Sequence, residues 1–250
     1  MTTEEGVRIM IMKCLIVIAT SSACANELDS IRQALKTHQI ETQEIEWVTQ
    51  ADFLTQMGKP DSPKFNLVYL AAHADMYGFG ETGGFALHSW DDLANAICIS
   101  SCMLPGATLF LGCCRGGMKT VALSILKGCD QIDYICGPLW NTKGTKLIQA
   151  FNSFAECKFA EDLEPSAIRE RMTNAAGQHF SCYDRMELES EVAMLKQIGN
   201  IQWHLEQLIA SQNSVVAAIE KLNQTFSQMS CDPNDPSAIP FSTAVEAKVP

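Results

Sequence analysis

The chain is predicted to be an α/β protein: a mostly parallel sheet with helices on both faces, followed by a helical extension with a heptad pattern. Three observations predict it. Short apolar runs alternate with amphipathic segments through the first 180 or so residues, the pattern of strand–helix–strand units and a right-handed parallel sheet. Two of the apolar runs, Asn66–His73 and Thr108–Gly117, stop abruptly at a reactive side chain, a histidine and a cysteine followed by glycines. Beyond residue 200 the apolar residues step by four and three alternately, a heptad seam.

Each element follows from local pattern. Lys13–Thr20 is apolar on both faces, as a buried parallel strand requires. If translation began at Met12, that run and Ala23-Cys24-Ala25 would imitate a signal peptide, but Glu4 and Glu5 precede it and a first strand accounts for the same residues. Ser22 or Asn26 caps a helix carrying Leu28, Ile31 and Leu35. Glu44–Val48 is a weaker strand and Ala51–Met57 a short helix; the turn Lys59-Pro60-Asp61-Ser62-Pro63 leads into the strand that ends at His73. Gly78–Gly84 followed by Phe85–His88 reads as a hairpin or ordered loop over the strand ends; no Lys-Ser/Thr follows it, so it is not a phosphate loop. Asp91–Cys102 is helical, Pro105-Gly106 turns, and the cysteine strand follows. Met118–Lys127, Thr142–Phe159 and Pro165–Ala176 are helices, with Asp133–Gly137 a further buried strand.

Composition narrows the function. A formal net charge of −11 disfavours nucleic acid and anionic membrane surfaces. No apolar run approaches the ~20 residues of a membrane span. Eleven cysteines, an odd number scattered through apolar segments, suit buried reduced thiols in the cytoplasm better than a secreted disulfide framework. No Cys-x-x-Cys pair occurs, and Cys98 and Cys102 lack a second ligand pair, so neither metal nor cofactor is expected.

Parallel strands open their carboxyl ends onto a ligand crevice. Two adjacent strands ending at His73 and Cys114 would set an imidazole beside a thiol, the pair that generates a thiolate nucleophile. A glycine-rich helix start after the cysteine adds free amides and a favourable dipole. His73 then acts as base toward the thiol and acid toward the leaving amine. His88 is the rival base near the same crevice. Asp75, Glu81, Asp91 and Asp92 are candidates to line a pocket for a basic side chain, against the simpler reading that they are solvated.

Gly112-Cys113-Cys114-Arg115-Gly116 is similar to the caspase pattern Gln-Ala-Cys-Arg-Gly, a signature with its histidine upstream. The stretch resembles more closely the bacterial caspase-like CHAT peptidases, relatives of separase: a strand ending in His-Gly, a hairpin, a helix, then Leu-Ser-Ala-Cys-x-x-Gly. Tyr69–Ala74 and Leu111–Gly117 match in order, and Ile135–Trp140 sits where that family has its next strand and pocket wall. The resemblance spans residues 13 to 177. It implies a caspase-type sheet, peptide-bond hydrolysis through an acyl-enzyme, His73 and Cys114 as the dyad, backbone amides of Ala74 and Cys114 as oxyanion donors, and no cofactor. It also implies a pocket including Cys113 and Trp140. The family's glycine after the histidine is Ala74 here, and Cys113 adjoins the nucleophile, facing the opposite way. Gly112 stands where some basic-specific relatives carry aspartate.

The expected domains are 1–180, the peptidase; 181–230, a helical extension for assembly or docking; and 231–250, a Pro-bearing disordered tail. The seam runs Ile201, Leu205, Leu208, Gln212, Val215, Ile219, Leu222, Phe226, Met229. A straight helix from Leu188 would be roughly 60 Å long, more than the ~40 Å diameter of the domain. It either folds back near Gly199-Asn200 as a hairpin or pairs with another chain, making a homo-oligomer through 186–229. The expected function is a cysteine endopeptidase cutting a specific protein partner. The resemblance adds an effector of bacterial antiphage defence, switched by an activator protein or a small signalling molecule. The alternatives are a non-catalytic adaptor working through its helix, or another thiol enzyme using Cys113 and Cys114 together.

Overall fold

The computed structural model describes residues 12–20, 25–80 and 88–229, excepting the side chains of 25 and 226–229. Ser22, Glu81, the segment Gly83–Leu87, the tail, and the side chains of Phe226 and Met229 therefore lie outside the described residues.

Six strands form the main sheet: β1 (Lys13–Ile18), β2 (Glu41–Glu46), β3 (Phe65–Ala71), β7 (Met103–Gly112), β8 (Ile132–Pro138) and β9 (Phe180–Asp184). Their order is β2-β1-β3-β7-β8-β9, parallel except for β9, which runs antiparallel to β8. The α/β class and the mostly parallel sheet are thus as expected; β9, which the sequence pattern did not single out, closes one edge.

Period-two alternation divides the core. Leu67, Tyr69 and Ala71 of β3 face one apolar cluster, while Val68 and Leu70 face the other. The first cluster packs under α1 (Ala25–Thr37), α5 (Gly144–Ala155) and α6 (Pro165–Ala176). The second packs under α2 (Gln50–Met57), α3 (Trp90–Ser100) and α4 (Lys119–Gly128). A five-residue π-helical turn, Glu156–Ala160, follows α5 where the pattern suggested continuous helix.

The turn expected at Pro105-Gly106 is instead part of the ten-residue β7. Register slips between the pairs Phe65↔Met103 and Leu67↔Thr108, and Gly106 takes φ +81°. A bulge absorbs the proline and glycine at the strand's exposed start, so the breaker signal bends the strand without ending it.

After β3 the chain leaves the main sheet at Ala72 and builds a small antiparallel sheet of β4 (His73–Ala74), β5 (Gly78–Gly80) and β6 (His88–Ser89). Such short strands are marginal alone. Phe79, fully buried, anchors them, its ring 5.2 Å from Trp47 and 5.5 Å from both His88 and Trp90. Ser89 and Asp92 then close a capping box that starts α3.

Contacts divide the chain into two units, Met1–Glu191 and Val192–Pro250. The first unit includes β9 and the opening turns of α7, a single 45-residue helix from Arg185 to Met229. The fold-back at Gly199-Asn200 does not occur: the helix continues through both residues, giving an element about 67 Å long. Its start is fastened by Arg185, whose Nε donates to the Ile132 carbonyl at 2.9 Å and Nη1 to that of Leu126 at 3.0 Å, with Cys129 O a further acceptor. The Leu126 and Cys129 carbonyls belong to the end of α4 and its cap, where helix geometry leaves acceptors without partners, and that of Ile132 opens β8. Leu188, one turn on, is buried. Arg185→Ala is expected to cost roughly 2–3 kcal/mol by stranding those acceptors, read as a melting temperature about 5–10 °C lower.

Candidate active site

Where β3 and β7 pair, Ala71 lies opposite Gly112, so both strands end at one level. The strand order reverses direction at β1, with β2 on one side and β3 on the other, the kind of switch point where α/β sheets hold ligands. A cavity of about 220 Å³ lies there, lined by residues following β1 (Thr20, Glu27), β3 (Ala71, Ala72, His73), β7 (Gly112, Cys113, Cys114) and preceding or opening α5 (Thr142, Gly144, Leu147). His73 and Cys114 thus border the same space. His73 is exposed, and Cys114 half-buried.

The turn after β7 aims Cys114. Arg115 adopts φ +60°, its amide donates to Trp140 O at 3.2 Å, and the Gly116 amide closes back onto Cys113 O. The Gly117 amide donates to Pro138 O at 2.9 Å, and a Cβ on Gly117 would overlap Gly137 O and Ser181 Oγ. Gly117 therefore serves close packing of this turn on β8 and β9, while a Cβ on Gly116 would meet Leu111 and Cys113 at the end of β7.

The two adjacent thiols differ sharply. Cys113 is buried in the core, and burial above all, then the neighbouring Cys114 and Glu27, push its thiol well above the usual range. It stays protonated and inert. Cys114 opens to the cavity, where the Thr142 amide donates to Sγ at 3.4 Å. That donor precedes α5 (capped at Lys143), so the amide-rich helix start bordering the sulfur is that of α5. The sequence had assigned this role to α4, which begins only at Lys119. The loop is braced by Gln178, whose Nε2 donates to Asn141 O at 3.0 Å.

Glu27 was not singled out in the sequence. It sits in the first turn of α1, where an acid ordinarily serves the helix dipole. Instead its Oε1 accepts from the Tyr69 hydroxyl at 3.1 Å, and burial raises its carboxyl above the ordinary value, the Tyr69 bond partly opposing this. Tyr69 was the available signal: a phenol within a fully buried strand needs a partner. The same ring explains Gly112. A Cβ there would lie 2.5 Å from Tyr69 Cζ and 2.8 Å from Leu70 O, so no acid fits at that position.

Of the other expected pocket residues, Asp75 is engaged in a turn, its Oδ1 accepting from the Tyr77 and Gly78 amides at 2.7 and 3.1 Å. Trp140 is 60% exposed and supplies only its carbonyl, to Arg115. Neither is among the described residues lining the cavity. Asp91 accepts from Ser124 Oγ and Asp92 serves the cap of α3. His88 packs its ring against Trp47 and Phe79. Every cysteine among the described residues is a free thiol, and no group of three or more His, Cys, Asp or Glu there is placed to hold a metal ion. No helix among them is long and apolar enough to cross a membrane.

No family model matches the sequence, and no curated protein does either. Among solved structures the chain is similar to the complex of Porphyromonas gingivalis RgpB pro- and mature domains, at 15% identity and a TM-score of 0.39. That likeness covers 64% of this chain and 41% of the other, so the chain spans about two fifths of that structure's length.

Proposed function

We propose that this chain is a caspase-type cysteine endopeptidase in which His73 and Cys114 form the catalytic dyad. The observation that carries the reading is one cavity, at the carboxyl ends of two paired parallel strands, bordered by both residues. His73 takes the proton of the Cys114 thiol, and the thiolate attacks the scissile carbonyl carbon. The amides of Ala74 and Cys114 hold the resulting oxyanion. His73 then gives its proton to the leaving amine, and water hydrolyses the thioester to restore the thiol. Within this reading the chain cuts a specific protein partner in the cytoplasm. It acts as an effector, in antiphage defence, switched by an activator protein or a small signalling molecule.

Glu27 gives the reading its substrate preference: a lysine or arginine side chain beside the scissile bond. Among the described residues lining the cavity it is the only carboxylate. Burial disfavours its bare anion, and an entering cation reverses that penalty. Glu27→Gln is expected to lower kcat/KM for peptides with a basic residue before the cut by roughly 10- to 100-fold, as loss of a charged hydrogen bond implies. Cleavage of a peptide library by both proteins checks this.

Stability has the matching sign. A folded-state carboxyl above its unfolded value of about 4.3 binds more protons when native, so its contribution to stability falls as pH rises from about 4. Urea titrations across that range should show a shallower decline in Glu27→Gln. Equal library profiles for the two proteins would remove Glu27 from the pocket.

A further inference from the structure

We propose that the exposed apolar face of α7, from Met194 to Leu222, is a self-association seam on which three or more copies of this chain pack in parallel and in register. The proposal stands independently of the peptidase reading. In heptad terms, position d carries Met194, Ile201, Leu208, Val215 and Leu222. Position a carries Ile198, Leu205 and Ile219, with Gln212 among them. Position e adds Leu195, Ile209 and Val216. Every one of these apolar side chains is at least 52% exposed.

The width of the stripe decides the number of copies. A two-stranded coil needs only a and d. A third apolar position, which e supplies in three of the five heptads with Gln202 and Asn223 at the other two, is covered when further helices join, as in the core of a bundle. Charge decides the identity of the partner. The whole chain carries −11, yet residues 192–229 hold only Lys196, Glu206, Glu220 and Lys221, which sum to zero. All four occupy b, c or f positions. Copies therefore meet without repulsion, and the e and g positions carry none of the charges that would select a foreign helix.

Gln212 decides the alignment. A lone polar residue in an apolar seam is costly to bury without a partner, and its amide both donates and accepts. A parallel copy in register brings its own Gln212 to the same layer. An antiparallel or slipped copy would set an apolar side chain against it.

Light scattering on the full-length chain tests the proposal. The expected mass is at least three times the 27.5 kDa of one chain. Leu208→Glu combined with Val215→Glu should return it to a single chain, and Asn213→Glu, on the outward face, should leave the assembly intact. A p-benzoylphenylalanine placed at Leu205 should crosslink to residues around 205 of a neighbour; Gln212→Leu should let those crosslinks spread one heptad away. A mass of one or two chains overturns the proposal, as does an assembly insensitive to the double substitution. Crosslinks centred on residues around 215, where an antiparallel copy that sets Leu208 against Gln212 would put them, overturn it too.

Discussion

Cys114→Ala is expected to abolish cleavage of a peptide substrate, with a loss of roughly 10⁴- to 10⁶-fold, the scale on which removal of an enzyme's nucleophile is felt. Cys113→Ala should leave a substantial part of the activity. The contrast rests on environment. The Cys113 thiol is held protonated by burial, while the Cys114 sulfur borders the cavity and receives the Thr142 amide. Cys113→Ala removes only one buried sulfur from a packed core, which costs about 1 kcal/mol of stability. Labelling with an electrophilic peptide, followed by mass mapping, checks the same point without knowledge of the native target. Modification should fall on Cys114 and depend on His73. Full activity in Cys114→Ala would end the peptidase reading, and a non-catalytic adaptor would replace it.

Gly117→Ala is expected to be the most damaging single methyl in the first unit. The new Cβ would overlap Gly137 O and Ser181 Oγ and lie 2.5 Å from Gly137 C. Side chains can turn aside from such a contact; this one is mainly with backbone. Gly137 is paired with Ser181 of β9 within the sheet, and the Gly117 amide is bonded to Pro138 O. The turn bearing Cys114 must therefore lift away from β8. We expect a loss of at least about 3 kcal/mol in urea unfolding, the upper range for overpacking. Because that turn carries the sulfur, kcat should fall further than the unfolded fraction accounts for. Wild-type stability in Gly117→Ala would refute the packing account.

Much of the sheet was legible because burial leaves a local record. Lys13–Thr20 and Asn66–His73 read as strands because both faces of a parallel sheet must be apolar, and the structure has β1 and β3 there. The heptad spacing of α7 was equally plain, since it repeats within one element. Three features were illegible for a shared reason. Pro105 and Gly106 signal a turn in isolation, and only pairing with β3 shows that a bulge accommodates them. Phe180–Asp184 is too short to stand out until β8 offers an edge. Glu27 looks like an ordinary helix-start acid until Tyr69, forty-two residues away, reaches it.

The chain by itself determined most of the strand and helix segments, that two strands break off just before a histidine and a cysteine, and that a long amphipathic helix follows. Those properties depend on neighbours within a few residues, through backbone geometry and the side-chain period. Tertiary structure alone decided which termini share a cavity, that α5 and not α4 presents its first turn to Cys114, and that the acid beside them is Glu27. Such outcomes depend on strand order and on close approaches between distant residues. A glycine's missing methyl or a tyrosine's hydroxyl acquires meaning only when the opposing backbone is in place.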